Sequence, residues 1–324
     1  MAGGPIKARR VLLTGGTGFI GANLARHLVA GGHRVTLLVR PERQTWRLAD
    51  ITDSVLYEVV DLGAADQVTA VVERVRPEWV FHLAAHGAYS WQNDASEIVR
   101  TNYLATANLA QACVRYGVEG FVHAGSSSEY GYKDHAAQED EYLEPASLYA
   151  ATKAGATLLC KQLGQERGCR MRTLRLYSAY GPYEEPGRLI PALVRYGLAG
   201  RLPNLVDPRV ARDFVYVDDV CDAFVRAASE SGGDPTGVYN VGSEIQTSIE
   251  DAVQSARLVM QVEAEPAWGS MPNRSWDTNV WVSNCARIRG DLGWQSKHTF
   301  EQGLGLTVEW FRAHPELWER YPVT

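Results

Sequence analysis

The sequence is poor in paired cysteines, in long apolar runs and in basic residues, and each shortage excludes a class of protein. Its 324 residues include five cysteines, which are scattered and form no Cys-x-x-Cys pair, so neither a disulfide framework nor a metal site is expected. No apolar stretch approaches the ~18 residues that span a membrane. The apolar run near the N-terminus breaks at Gly15-Gly16, too early for a signal peptide. We therefore expect a cytoplasmic protein that uses neither a metal nor a membrane.

The charge balance is mildly acidic. Thirty-eight acidic residues outnumber 32 basic ones, which gives a formal net charge of −6. Such a chain lacks the basic surface of a nucleic-acid-binding protein, and binding to nucleic acid is not expected. A hydrophobic content of 45% is ordinary for a globular protein.

Strand-like and helical segments alternate along the first half of the chain. Strands are predicted at residues 9–14, 34–39, 55–60, 79–84, 121–124 and 171–176, and helices at 66–76, 104–116 and 149–166. This alternation is typical of an α/β protein in which helices cover both faces of a doubly wound parallel sheet.

The rhythm becomes less regular beyond residue 178. We predict a Rossmann domain over residues 1–178 and, over 179–324, a smaller C-terminal lobe that binds substrate above the carboxyl ends of the strands. Strand-like segments near 213–217 and 238–241 are expected to return to the Rossmann sheet.

A glycine-rich turn joins the first strand to the first helix. Its sequence is Thr14-Gly15-Gly16-Thr17-Gly18-Phe19-Ile20-Gly21. In this context Gly15 permits the tight turn, Gly18 the approach of backbone to a pyrophosphate, and Gly21 close packing of helix on strand. The phosphates would meet the free amides of the helix N-terminus. The turn therefore predicts a dinucleotide site that includes Gly15, Thr17, Gly18, Phe19, Ile20 and Gly21.

The end of the second strand bears on which dinucleotide binds. NAD enzymes usually place an acidic residue there to hold the ribose 2′-hydroxyl, whereas this chain has Arg40. A guanidinium suits a 2′-phosphate, so NADP(H) is favoured and NAD(H) stays possible. Asp61, which ends the third strand, is either a contact for the adenine amino group or a simple loop cap.

Tyr149 and Lys153 lie one turn apart at the start of a predicted helix, on the same face. A phenol is a poor base at neutral pH, but a nearby ammonium favours the phenolate. Ser126, at the end of the fifth strand, could hydrogen-bond the substrate oxygen that exchanges its proton with Tyr149. These three residues are the predicted catalytic set.

Together these motifs resemble an extended short-chain dehydrogenase/reductase of the nucleotide-sugar epimerase/dehydratase/reductase branch. The resemblance covers nearly the whole chain. Further matches are His82-Leu-Ala-Ala85, Asn102, Leu174-Arg175, Tyr180-Gly181-Pro182, Arg212-Asp-Phe-Val-Tyr-Val-Asp-Asp219 and Tyr239-Asn-Val-Gly242.

The resemblance implies a nucleotide-diphosphate sugar as substrate and assigns roles to further residues. Arg212 matches the arginine that grips the diphosphate, and Arg274 looks like a second clamp. Ser178 stands where the family often has Asn. The implied cofactor contacts also include Tyr149, Lys153, Leu62, Leu83, Ala84, Ala85, Asn102 and Tyr177, and the implied substrate contacts Ser127, Ser178, Arg188, Arg212 and Arg274. The resemblance further implies a homodimer that packs the helices at 104–116 and 149–166 into a four-helix bundle.

The residues after Ser126 bear on the reaction. Sugar 4,6-dehydratases of this branch generally place an acidic residue within the next two positions, where this chain has Ser127 and Ser128. Glu129 follows one place later and would serve as an acid only if the loop shifted. The run from Gly125 to Tyr130 resembles the Gly-Ser-Ser-Cys-x-Tyr run of the GDP-fucose synthases, with Ser128 in place of their acid/base cysteine. Serine is a far weaker acid than a thiol.

Reduction of the 4-keto group of a nucleotide-linked 4-keto-6-deoxyhexose by NADPH is therefore the leading expectation. The alternatives are an NAD-dependent 4-epimerase, a 4,6-dehydratase, an NADP-sensing regulator without turnover, and a small-lipid or steroid dehydrogenase. His86, after the fourth strand, is a candidate acid or base because imidazole titrates near neutrality.

Overall fold

The computed structural model describes residues 7–273 and 277–323. The strands are β1 (Arg10–Thr14), β2 (Arg34–Val39), β3 (Val55–Val59), β4 (Trp79–His82), β5 (Gly120–Ser126), β6 (Met171–Leu176), β7 (Ser178–Tyr180), β8 (Ala211–Tyr216), β9 (Val238–Val241) and β10 (Gln246–Ser248). Seven of them form one sheet in the order β3-β2-β1-β4-β5-β6-β9. Every neighbouring pair in this sheet is parallel. The predicted doubly wound parallel sheet is confirmed.

The helices are α1 (Phe19–Ala30), α2 (Ala65–Val75), α3 (Ala95–Val99), α4 (Ala105–Tyr116), α5 (Leu148–Arg167), α6 (Leu189–Gly197), α7 (Val217–Ser229), α8 (Ile249–Met260), α9 (Ala286–Leu292) and α10 (Phe300–Ala313). Some of the helices cover both faces of the sheet, and α6, α8 and α10 pack in a separate core. Each face of the sheet has its own hydrophobic core. Leu13 of β1 packs in a cluster with α1, α7 and α9, and the adjacent Leu12 packs in a second cluster with α2, α4 and α5. In the described ranges, no helix is long and apolar enough to cross a membrane.

A second sheet, in the order β10-β8-β7, belongs to a separate hydrophobic core. Strand β8 pairs with β7 and β10 there, so the expectation that residues 213–217 return to the Rossmann sheet is wrong. Segment 238–241 does return, because β9 pairs with β6. An apolar run predicts that a strand is buried but not which strand it pairs with; Phe214 and Tyr216 pack in the core of the second sheet.

Candidate active site

The glycine turn follows β1 at the carboxyl edge of the main sheet. Gly15 has a φ of +70°, and a Cβ there would lie 2.6 Å from the carbonyl carbon of Leu83. A Cβ on Gly21 would overlap the carbonyl oxygen of Gly15. Only glycine therefore lets α1 pack this closely on the turn and lets the turn pass the end of β4.

The N-terminus of α1 is available to an anion. Gly18 is the N-cap residue, and no side chain caps the helix. The first-turn amides of such a helix have no intrahelical partner, and the helix dipole favours a negative group there. Gly18, Phe19, Ile20 and Gly21 line a cleft at this point. The residues present thus fit the pyrophosphate of a dinucleotide.

Arg40 lies directly beyond the end of β2 and is exposed. Thr14 pairs with Leu38, so Arg40 lies about level with Gly16 in the glycine turn. Asp61 caps its own loop, because its Oδ1 accepts a hydrogen bond from the Gly63 amide at 2.9 Å. Asp61 also forms an ion pair with Arg100. The loop-cap interpretation of Asp61 is confirmed, and an adenine contact stays a prediction.

Ser126, Tyr149 and Lys153 are brought together at the base of the same cleft. Ser126 ends β5, whereas Tyr149 lies in the first turn of α5 and Lys153 in the next. Burial raises the pKa of Tyr149 to about 12, and a hydrogen bond with Ser126 opposes this shift. Burial lowers the pKa of Lys153 to about 8, against the opposing charge of Glu129. At neutral pH the site therefore holds a protonated phenol beside an ammonium.

The residues after Ser126 form a short 3₁₀ turn, Ser127–Tyr130. Ser128 Oγ lies 2.7 Å from Ser126 Oγ, and the Ser128 amide donates to Ser126 Oγ at 3.2 Å. Ser127 and Ser128 both line the cleft. The polar surface beside Tyr149 is therefore a cluster of hydroxyls.

Glu129 faces away from this cluster, and its interpretation as a catalytic acid is corrected. The side chain is fully buried and does not line the cleft. Glu129 Oε2 accepts from Arg175 Nε at 2.8 Å, and Oε1 accepts from the Ser126 amide at 2.8 Å and from Thr157 Oγ1 at 3.1 Å. The turn directs this carboxylate into the protein, where it supports Ser126 from behind.

Asn102 fastens the loop after β4 to α5. This fully buried residue accepts from the His86 amide at 2.8 Å and donates to the His86 carbonyl at 2.9 Å and to Thr152 Oγ1 at 3.0 Å. It lies in the π-helical segment Arg100–Leu104, a local form common near functional sites. The His86 side chain does not line the cleft, which removes the geometric basis for assigning it an acid/base role.

The cleft has a volume of about 1190 Å³ and lies between the main sheet and the second lobe. The predicted site residues that line it are Gly15, Gly18, Phe19, Ile20, Gly21, Leu83, Ala85, Ser126, Ser127, Ser128, Tyr149, Lys153, Tyr177, Ser178, Arg188 and Arg212. The remaining described candidates, which do not line it, are Thr17, Arg40, Asp61, Leu62, Ala84, His86, Asn102 and Glu129. Arg274 lies outside the described residues.

Arg212 projects from β8 into the outer part of the cleft. Its Nη2 donates to Asp277 Oδ1 at 2.5 Å, and its guanidinium lies 5.9 Å from the ring centre of Trp281. Asp277 and Trp281 also line the cleft. The aspartate orients a planar donor fork that suits a diphosphate.

Sequence analysis missed Glu184 and Tyr89, which also line the cleft. Glu184 is buried with 5% of its surface exposed, and burial raises its pKa to about 8. Its Oε1 lies 3.7 Å from Arg188 Nε. The available signal for Glu184 was its position two residues after the Tyr180-Gly181-Pro182 motif.

Comparison with known proteins agrees with this geometry. Residues 11–242 match the model of the NAD dependent epimerase/dehydratase family. The chain is 31% identical over 313 residues to a UDP-glucose 4-epimerase of Mycolicibacterium smegmatis, and the alignment covers 94% of this chain and 98% of that protein. The chain belongs to the NAD dependent epimerase/dehydratase family, whose members include nucleotide-sugar epimerases and dehydratases.

A longer plant protein shows another activity among the relatives. It is a trifunctional UDP-glucose 4,6-dehydratase/UDP-4-keto-6-deoxy-D-glucose 3,5-epimerase/UDP-4-keto-L-rhamnose-reductase of Arabidopsis thaliana, 27% identical over 326 residues. The alignment covers 96% of this chain but 48% of the plant protein. The chain thus spans about half the length of that relative.

A solved structure with bound ligands has the same fold. MoeE5 in complex with UDP-glucose and NAD superposes with a TM-score of 0.82 at 30% identity, covering 94% of this chain and 99% of MoeE5. A nucleotide sugar and a nicotinamide dinucleotide are therefore accommodated together in a protein of this architecture.

Proposed function

We propose that the protein is an NADPH-dependent reductase of the 4-keto group of a nucleotide-linked 4-keto-6-deoxyhexose. The observation that carries the proposal is Arg40, which lies level with the glycine turn at the end of β2. At this point a 2′-phosphate gains a charge-assisted partner, whereas a carboxylate would favour the ribose hydroxyl. NADPH is the usual donor for net reductions, while epimerases of this family retain NAD.

The chain's own groups fit a reduction. The glycine turn and Arg40 would hold the dinucleotide, which would supply the hydride when bound. The phenol of Tyr149 is protonated at neutral pH and donates its proton to the carbonyl oxygen. Ser126 hydrogen-bonds that oxygen and orients it, and the Lys153 ammonium stabilises the phenolate that remains.

Dehydration fits the site less well. It needs an acid beside Ser126 to protonate the departing hydroxyl, and Ser127 and Ser128 occupy the two positions concerned. The nearest carboxylate in sequence, Glu129, is held in an ion pair behind the site. The chain keeps Ser126, Tyr149 and Lys153 together, which favours catalysis over an NADP-sensing role.

The second lobe supplies the groups for a nucleotide diphosphate. Arg212 would hold the diphosphate in the orientation that Asp277 imposes, and Arg188 also lines the cleft. Arg274 is the proposed second clamp. A lipid or steroid has no diphosphate for the Arg212 guanidinium to bind, so a nucleotide sugar is the better fit.

An NAD-dependent 4-epimerase is the second candidate. The Mycolicibacterium relative has this activity by name, and MoeE5 binds NAD. The same three residues, Ser126, Tyr149 and Lys153, would then serve both steps. Tyr149 would take the proton of the C4 hydroxyl during oxidation and return it during reduction. The two candidates differ in whether the reduced cofactor is consumed.

We also propose that the protein is a homodimer. Tyr103 and Leu104, just before α4, and Leu158, on α5, are apolar yet 40–57% exposed. A second copy of the same surface would bury them, as four-helix packing requires.

The test is a turnover assay with NADPH or NADH and a panel of nucleotide-linked 4-keto-6-deoxy sugars. Stoichiometric loss of NADPH that disappears in Tyr149→Phe supports the reductase. Tightly co-purified NAD, with two intact nucleotide sugars interconverted and no net consumption, would assign the epimerase instead.

A further inference from the structure

Glu184 is held in the cleft wall by an unusual backbone. Tyr183, the preceding residue, has a φ of +67°, a conformation that costs an aromatic residue free energy. Three contacts hold Tyr183: its carbonyl accepts from Arg47 Nε at 2.8 Å, Arg26 lies 4.0 Å above its ring, and Trp310 packs against it at 4.7 Å. The surrounding structure thus imposes the turn that places Glu184.

The Glu184 backbone is fixed as well. Its amide donates to the Gly181 carbonyl at 3.3 Å, and its carbonyl accepts from the Tyr321 hydroxyl at 2.9 Å. The first contact closes a turn within the loop between β7 and α6, and the second joins that loop to Tyr321. The carboxyl therefore has a defined position rather than a mobile one.

The carboxyl is incompletely satisfied. Oε1 lies 3.7 Å from Arg188 Nε, beyond hydrogen-bond distance, and Oε2 has no hydrogen-bond partner among the described residues. A buried oxygen in this state is costly, because the hydrogen bonds that it would make to water are not replaced. A group retained at such a cost in a cleft wall is poised for a ligand that donates hydrogen bonds.

Glu184 lines the same cleft as Tyr149, together with Tyr89 and Arg188. Arg188 lies beside Glu184. Burial raises the pKa of Tyr89, the charge of Arg188 opposes that shift, and the charge of Glu184 adds to it. Burial, the hydrogen bond with Ser126 and the charge of Glu129 set the pKa of Tyr149, and the charges of Tyr89 and Arg188 make smaller contributions. The sugar of a nucleotide sugar would lie between Tyr149 and this wall, with the diphosphate farther out at Arg212.

We propose that Glu184 binds the hexose of the nucleotide sugar by accepting hydrogen bonds from its ring hydroxyls, and so selects hydroxylated hexoses as substrates. The inference rests on the proposed nucleotide-sugar site. A hydroxyl supplies the donor that Oε2 lacks, and Arg188 Nε lies 3.7 Å from the other oxygen, Oε1.

Two variants separate binding from folding. Glu184→Leu keeps the volume and removes both oxygens, so it should fold at least as well as the wild type because an unsatisfied buried group is gone. Glu184→Gln keeps one oxygen acceptor and replaces the other oxygen with an amide donor. Glu185→Gln is the matched control, since the Glu185 carboxylate pairs with Arg47 at 3.0 Å and does not line the cleft.

The experiment is calorimetric titration of the NADP-saturated protein. UDP-glucose, TDP-glucose and GDP-mannose are each compared with their own free nucleoside diphosphates. For the sugar that binds best, we expect Glu184→Leu to raise Kd at least tenfold and Glu184→Gln about threefold. The Kd of the free diphosphate should stay unchanged in both variants, and Glu185→Gln should match the wild type throughout.

The outcomes distinguish the two claims. If the wild type binds the sugar nucleotide but Glu184→Leu binds it equally well, the inference is wrong and the proposed function stands. If Glu184→Leu weakens the binding of the sugar nucleotide and of the free diphosphate equally, Glu184 has a structural role and the inference is wrong. If the wild type binds neither class of ligand, the proposed function fails, and the inference fails with it.

Discussion

Arg175 and Glu129 form a buried ion pair, with 2.8 Å between Arg175 Nε and Glu129 Oε2, directly behind the catalytic serine. The exposed fractions of the two side chains are 2% and 0%. Because Glu129 also accepts from the Ser126 amide, the pair connects β6 to the end of β5. It therefore supports the site from the side opposite the substrate.

We expect Glu129→Gln to destabilise the protein by about 3–5 kcal/mol, because it leaves a buried guanidinium without its counter-charge. Urea unfolding measures this change. Glu129→Gln with Arg175→Met should recover part of the loss. The control is Glu58→Gln at the exposed Arg74–Glu58 pair, for which a change below about 1 kcal/mol is expected. A loss at Glu129 no larger than at Glu58 would contradict this role.

The pH dependence should report Lys153. Burial lowers its pKa to about 8, whereas Tyr149 remains protonated up to about pH 12. Since reduction needs the ammonium beside the proton donor, kcat/KM should be flat below pH 8 and fall as pH rises through it. Lys153→Arg, which stays charged, should lower the rate and remove this decline. A decline that persists unchanged in Lys153→Arg would assign it to another group.

Arg40→Asp should weaken NADPH binding at least tenfold and improve NADH binding, because a carboxylate repels a 2′-phosphate and accepts from a 2′-hydroxyl. Fluorescence titration of the two cofactors gives both constants. Arg43→Ala is the neighbouring control; Arg43 lies 5.3 Å from the Tyr57 ring centre. A wild type that binds NADH more tightly, with NADPH binding unaffected by Arg40→Asp, would contradict the assignment of Arg40.

Stability should depend on pH through Glu184. Burial raises its pKa from 4.5 to about 8, so the folded state binds more protons than the unfolded state between these values. The free energy of unfolding contributed by this group therefore falls as pH rises from 4.5 to 8 and then levels off. In thermal melts without ligands, the difference between the Tm of Glu184→Gln and the Tm of the wild type should therefore increase as pH rises from 4.5 to 8. A constant difference from pH 5 to 8 would contradict the burial of an ionisable carboxyl there.

The proposed dimer has a direct test in Leu158, an exposed side chain on α5. Leu158→Arg should halve the mass measured by light scattering, because a charge in an apolar interface has no partner there. Leu258→Arg, on α8 and also highly exposed, is the control and should leave the mass unchanged. A wild type that is already monomeric would exclude the dimer.

Much of the fold could be predicted because periodicity and glycine spacing are local signals. The alternation of strands and helices predicted the main sheet, and the glycine turn predicted the anion site at the start of α1. The pairing of β8 could not be predicted in this way, since either sheet would bury its apolar residues.

The site was predictable where residues lie on regular elements and not where loops orient them. Tyr149 and Lys153 share a helix face, so their spacing was informative. Glu129 lies next to the serines in sequence, yet the 3₁₀ turn directs it inward to Arg175. Glu184 gave no spacing signal, because its place in the cleft depends on the left-handed Tyr183.

The most direct test of the proposed reductase is the fate of the hydride. The protein would be incubated with NADPH deuterated at the transferable position and the best nucleotide-linked 4-keto-6-deoxy sugar, and the product analysed by mass spectrometry. The account predicts one deuterium at C4 of a released, reduced sugar for each NADPH consumed, and none with Tyr149→Phe. A product without deuterium, formed while NADPH is conserved, would contradict it.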